Sequence, residues 1–138
     1  IFAQTREITG EMPVLVSEYG WPAWGEVDRE SQGQFLERSA LLSSAEGATA
    51  ICWYTLWDSE DEDNPENTFG LLDNEGGFKP SGDAFLRMST ALGRATGAAH
   101  IEGLPDGVHG VHLEGEGDVV WGTGEVCGET MSETPTWL

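Results

Sequence analysis

The tightest constraint on the fold is a pair of apolar runs with an amphipathic stretch between them. The first is Val14–Val16, inside PVLVSEYGWPAWG, and the second is Ala48–Leu56, ATAICWYTL. Short apolar runs closed by turn formers read as buried strands rather than helices. Between them, Asp28 is suited to cap a helix, with Ser31 three residues on. Phe35, Leu36, Ser39, Ala40, Leu42 and Ser43 then follow at three- and four-residue steps to about Ala45, with Arg29, Glu30, Glu37 and Arg38 off that face. Glu46-Gly47 ends the helix. Two strands apolar throughout and joined by a helix predict parallel strands covered on both sides.

The flanks extend this unit. Residues 1–9 carry Phe2, Thr5 or Arg6, and Ile8 loosely at helical spacing, with Gly10 as a stop. Pro80 opens another helix, with Ala84, Phe85, Met88 and Leu92 as its buried stripe and Gly93 and Gly97 as bounds. Strand–helix–strand–helix thus occupies 13–93. The loop from Asp58 to Thr68 is acidic, Phe69–Leu72 is a short apolar segment, and Asn74–Gly77 is a turn. After residue 98 the composition shifts. Val108–Leu113 and Val119–Trp121 read as short strands about a turn-rich Gly115–Asp118 loop, so 98–138 is expected to begin a β-rich, sandwich-like domain.

Charge narrows the function classes. Asp and Glu number 25 against 6 Lys and Arg, a net charge of −19, and Lys79 is the lone lysine. Nucleic-acid surfaces need cations to displace counterions from phosphates, so that class is disfavoured. Six Trp, five Phe and regular apolar spacing argue against disorder. A folded, acidic, Lys-poor chain is expected where salt screens self-repulsion, as in a halophile. No apolar run is long enough to cross a bilayer, and no signal peptide is visible from Ile1 onward. Cys52 is expected to pack as a small buried hydrophobe, and a bridge to Cys127 is disfavoured. His100, His109 and His112 lack metal-ligand spacing, and the latter two are expected on a small sheet without catalytic work. The Asp58–Asp63 run lacks the central Gly of a calcium loop and is broken by Pro65, so it reads as a solvated loop. No cofactor or metal is expected.

Glu18 stands where the first apolar run leaves the core. Tyr19, Trp21 and Trp24 follow it closely in a loop longer than the roughly two to six residues usual after a strand. Loop positions at strand ends are where binding and catalytic groups gather in parallel α/β folds. A glutamate there is usually a solvated boundary residue; the neighbouring aromatics make that reading less comfortable.

PVLVSEYGWP resembles the nucleophile segment of clan A glycoside hydrolases, an apolar strand ending in a glutamate followed by an aromatic and often Gly-Trp. ICWYTLWDSEDEDNPENTFGLLDNEGGFKP looks like the last strand of the same barrels, with its Asp, its Phe-Gly-Leu-Leu-Asp segment and its Lys-Pro before the final helix. The resemblance covers about residues 1–93. It implies an α/β fold: strands seven and eight of a (β/α)8 barrel with their helices, residues 1–97, followed by the accessory β domain. It also implies a retaining β-glycoside hydrolase in which Glu18 attacks the anomeric carbon and forms a glycosyl-enzyme. A second carboxyl about 5–5.5 Å away must protonate the leaving group. In the clan that acid/base ends strand four, and no residue of this sequence matches it; the family pattern gives Asp58, Glu60 and Asp61 no such role.

Trp21, Trp24, Trp53 and Trp57 are the candidate sugar platforms, since indole packs well on pyranose C–H faces. Trp53 is favoured over Trp57 for the floor of the cleavage subsite, because alternation then turns Cys52 and Tyr54 toward the helices. Tyr54 is expected in the core. The expected partners are a carbohydrate and the missing N-terminal part of the same barrel. A whole barrel takes about 250 residues, so the sequence is expected to be truncated and inactive alone. A non-catalytic carbohydrate-binding barrel and a purely structural segment are the competing readings.

Overall fold

The computed structural model describes residues 2–10, 12–61 and 63–138. The elements run α1 (Phe2–Thr9), β1 (Val14–Tyr19), α2 (Arg29–Ala45), β2 (Ala48–Trp53), α3 (Pro80–Arg94), β3 (Ala98–His100), β4 (Val108–Leu113), β5 (Gly117–Gly122), β6 (Glu125–Val126), β7 (Glu129–Thr130) and β8 (Thr136–Trp137). The side chains of Phe2 and Arg6 in the expected first stripe, and Glu62 in the acidic run, lie outside the described residues. Ile8 of that stripe is exposed.

β1 and β2 pair in parallel, as two apolar strands joined by a helix require. β2 is shorter than the apolar run, ending at Trp53 rather than Leu56. Beyond it the backbone turns to bond the 69–72 segment, with Thr55 N donating to Phe69 O and Leu71 N to Thr55 O. Only one face of the pair is covered by the described residues. Leu15, Ala50 and Cys52 are exposed on the other, which corrects both the expected two-sided burial and the buried Cys52. Cys52 and Cys127 are both free.

Asp28 caps α2 as its sequence predicts, its Oδ1 accepting from Ser31 N at 2.7 Å. That amide, with the Ser31 hydroxyl, holds the Asp28 carboxyl below the usual range. A carboxyl with a depressed folded pKa contributes stability above its unfolded pKa and loses it as pH falls through the folded value. The stability gap between the native chain and Asp28→Ala should therefore shrink on acidification through the aspartate range, and the gap between Asp28→Asn and Asp28→Ala should not. Urea midpoints measured from pH 7 down to pH 2.5 check this; parallel curves would refute it.

The buried face of α2 differs in part from its apolar pattern. Leu36, Leu41 and Ser43 are buried, but Leu42 is exposed and Glu37 is buried. Glu37 Oε1 accepts from Arg87 Nε at 3.0 Å and from its guanidinium amine at 2.7 Å, which satisfies the carboxylate where α2 meets α3. On α3, Ala84 and Met88 are buried as expected, while Phe85 is exposed.

β3, β4, β5 and β8 form an antiparallel sheet, with β6–β7 a separate hairpin. The expected hairpin is present, pairing Val108 with Gly122 and Leu113 with Gly117. β4 alternates to both sides. Val111 and Leu113 join Val119, Trp121, Leu36, Leu41, Met88 and Ala91 in the main core, and Val108 joins Val120 and Met131 in a second cluster. The main core therefore runs without interruption from the helices into the sheet. His109 stacks on Trp121 and His112 bonds Asp118, both on β4 as the sequence places them.

Candidate active site

Glu18 is the next-to-last residue of β1 and is exposed. The register explains its direction. Val16 pairs with Ile51 and Tyr19 with Trp53, so Ser17 and Glu18 together stand opposite Cys52 alone. Two residues facing one is a β-bulge, which re-aims a side chain. Strict alternation would turn Glu18 to the side of Val16. With the bulge, both inward neighbours, Val16 and Tyr19, stay partly buried, and Ser17 and Glu18 are exposed along with Cys52. Among the described residues the Glu18 carboxylate has no hydrogen-bond or ionic partner.

The same register corrects Trp53. With Ile51 it faces the helices and packs against the main core, while Cys52 and Tyr54 are exposed. Its Nε1 donates to Phe69 O at 3.0 Å and its ring meets Tyr19 edge-on. The alternation assigned to β2 is thus one residue out of phase. Nothing in a uniformly apolar run distinguishes its two faces, so the sequence held no signal for the choice. Tyr54, expected in the core, is half exposed and packs edge-on against Phe69. It is the aromatic residue at this strand end that the sequence reading set aside.

The loop tryptophans differ. Trp21 is pinned, with its ring against Phe35 and its Nε1 donating to the Tyr19 hydroxyl at 3.0 Å, yet it remains partly exposed. Trp24 is 50% exposed and Trp57 53%. Gly20 lets the loop leave β1 at close quarters: a Cβ there would come within 2.1 Å of the Tyr54 carbonyl oxygen.

Asp58 is not part of a solvated loop. It is 6% exposed, its Oδ2 takes the Lys79 ammonium at 2.8 Å, and its Oδ1 accepts from Gly70 N at 2.6 Å. The lone lysine is itself 1% exposed. Glu60 and Asp61 are exposed, as a solvated loop requires. A groove of about 570 Å³ lies between β2 and α3, lined by residues including Tyr19, Ile51, Trp53, Met88 and Leu92, and it does not include Glu18. Its lining is apolar, suited to packing rather than to acid–base chemistry. Among the described residues no cluster of His, Cys, Asp and Glu fits a metal ion, and no helix is long and apolar enough to cross a membrane.

The fold of the described residues has counterparts among solved structures. A family 39 glycoside hydrolase from the gut symbiont Bacteroides cellulosilyticus WH2 superposes with a TM-score of 0.74 over 90% of this chain, at 24% identity. The chain has the fold of part of a glycoside hydrolase. A GH5_18 protein from Bifidobacterium longum subsp. longum, solved in complex with Manb1-4GlcNAc, matches with a TM-score of 0.54 over 63% of the chain, at 24% identity. A GH5_18 protein from Bifidobacterium longum subsp. infantis matches over 56%, at 26% identity and a TM-score of 0.50. This chain spans 28%, 22% and 20% of those three proteins. No family model and no curated protein matches it. The glycoside hydrolase resemblance read from PVLVSEYGWP and ICWYTLWDSE agrees with these structural neighbours.

Proposed function

We propose that this chain carries the nucleophile of a retaining β-glycoside hydrolase acting on oligo- or polysaccharides, with Glu18 in that role. One observation carries the reading. A bulge lifts Glu18 out of the strand's alternation and exposes it at the C-terminal end of a parallel strand, in a chain that shares its fold with part of a glycoside hydrolase. A nucleophilic carboxylate must be rigid and unencumbered, and a strand end with no competing ion pair among the described residues suits both needs.

In this reading the two strands are the seventh and eighth of the barrel, and residues 98–138 begin a β-rich accessory domain docked on its helices. The acid/base belongs to a part of the barrel outside this sequence. Asp58 cannot supply it, because Lys79 and Gly70 N already occupy its oxygens. The uncovered face of β1–β2 and the apolar groove beside β2 are where the remaining strands and helices would pack. Trp21, Trp24 and Trp57 contact the sugar. Trp53 is left out, since its ring faces the helices.

The decisive experiment is trapping in the completed barrel. A fluorinated glycoside that forms a stable glycosyl-enzyme should label Glu18, located by peptide mass mapping. Label on another residue rejects the assignment. Sugar binding without any label favours a non-catalytic barrel, and neither binding nor label favours a purely structural segment.

The acidic, Lys-poor surface supports a halophilic origin in the same proposal. Screening shortens from about 30 Å at 0.01 M salt to about 3 Å at 1 M. The chain should accordingly lose cooperative structure at low salt and regain it in molar KCl, followed by circular dichroism. Equal stability at both salt concentrations would contradict that origin.

A further inference from the structure

Three segments distant in sequence converge on one buried atom, the carbonyl oxygen of Thr68. Ala23 N, from the loop after β1, donates to it at 3.0 Å. Gln32 Nε2, from α2, donates at 3.0 Å, and the Lys79 ammonium, at the start of α3, at 3.1 Å. Gln32 is 0% exposed and its Nε2 also donates to Trp21 O at 2.7 Å. Lys79 carries the network on to Asp58, and Asp58 to Gly70 N. Gly70 has no room for a side chain: a Cβ would lie 2.4 Å from Asp58 N.

A carbonyl oxygen has two lone pairs, and three donors on one such oxygen, one of them charged, are not needed to satisfy it. The arrangement instead ties together the two loops beyond their close approach at Gly20 and Tyr54. The exposed indoles sit immediately beside its members: Trp24 follows Ala23, and Trp57 precedes Asp58. We propose that Gln32 and the Lys79–Asp58 pair are positioning residues that lock the loops after β1 and β2 to each other through the Thr68 carbonyl. They thereby fix the spacing of Trp24 and Trp57, and so which sugar units can bridge the two rings. The sugar-spacing part rests on the glycosidase reading; the locking does not.

The test uses this chain with 5-fluorotryptophan at its six tryptophans and reads them by 19F NMR. Gln32→Met and the double variant Asp58→Asn/Lys79→Met each remove part of the lock without leaving a buried charge. Both should shift the Trp24 and Trp57 resonances and leave Trp121 and Trp137 in place, a pattern that a general loss of stability does not produce. Folded variants with unmoved Trp24 and Trp57 signals overturn the proposal. Should the variants fail to fold, hydrogen exchange in the native chain decides. The Ala23 and Gly70 amides, from different loops, should open as one unit with matching protection, and unrelated protection factors overturn the lock. In Gln32→Met, exchange at Ala23 should rise roughly tenfold, the worth of one to two hydrogen bonds. In the completed barrel, Gln32→Met should change the relative kcat/KM for substrates of different length. An unchanged length preference alongside moved resonances would keep the lock and reject the spacing role, whatever the result of labelling Glu18.

Discussion

Lys79→Met should destabilise the chain by about 3–5 kcal/mol, the cost of leaving a buried carboxylate without its partner. The Lys79 and Asp58 side chains are both essentially removed from solvent, so water cannot replace the lost cation. The Asp58 Oδ2 would lose its donor, while the Thr68 carbonyl would keep Ala23 N and Gln32 Nε2, so the loss falls on the carboxylate. Asp58→Asn/Lys79→Met, in contrast, removes both charges and keeps an acceptor for Gly70 N. It should recover most of the loss, because a buried ion pair gains little over well-packed neutral groups once its desolvation is counted. Denaturant midpoints of the native chain and both variants measure this, in molar salt if low salt unfolds the chain. A single variant within about 1 kcal/mol of the native chain would mean that water reaches Asp58 and that the pair is not buried in solution.

The second large effect is on catalysis. In the completed barrel, Glu18→Gln should lower kcat by roughly 10⁴- to 10⁶-fold, the scale seen when one member of a catalytic unit is removed. The amide is nearly isosteric but cannot form the glycosyl-enzyme. The exposed Glu18 carboxylate makes no hydrogen bond or ion pair among the described residues, so thermal stability should stay within about 0.5 kcal/mol of the native protein, as for other surface substitutions. Loss of activity with unchanged stability separates a reacting group from a structural one. Activity retained to within tenfold would remove Glu18 from the reaction.

The elements were legible because their signals are local. The Asp28 cap, the Gly47 stop, the Pro80 start and the hairpin around Gly115–Asp118 each depend on neighbours a few residues away. The parallel pairing of β1 and β2 follows from apolar runs joined by a helix. The PVLVSEYGWP segment singled out Glu18 for the same reason, since a carboxylate closing an apolar run and followed by aromatics is visible without any tertiary contact.

What the sequence could not supply was direction. ATAICWYTL is apolar on both faces, so its own residues cannot say whether Trp53 or Cys52 turns toward the helices. Ile51 and Trp53 turn there because of where α2 and α3 lie. Glu18 escapes the alternation only through a bulge defined by the partner strand's register. Asp58 read as part of a solvated loop, Lys79 carried no sign of a partner, and Glu37 lay off the apolar face. They are buried because each finds an opposite charge at least 21 positions away in the chain, and burial of a charge requires such a partner. The sequence by itself determined the helices, the parallel strand pair, the β4–β5 hairpin and which carboxylate stands at the strand end, but not β3, β6, β7 or β8. Tertiary structure decided which face each side chain takes and which charges leave water, because both depend on long-range contacts that no local pattern encodes.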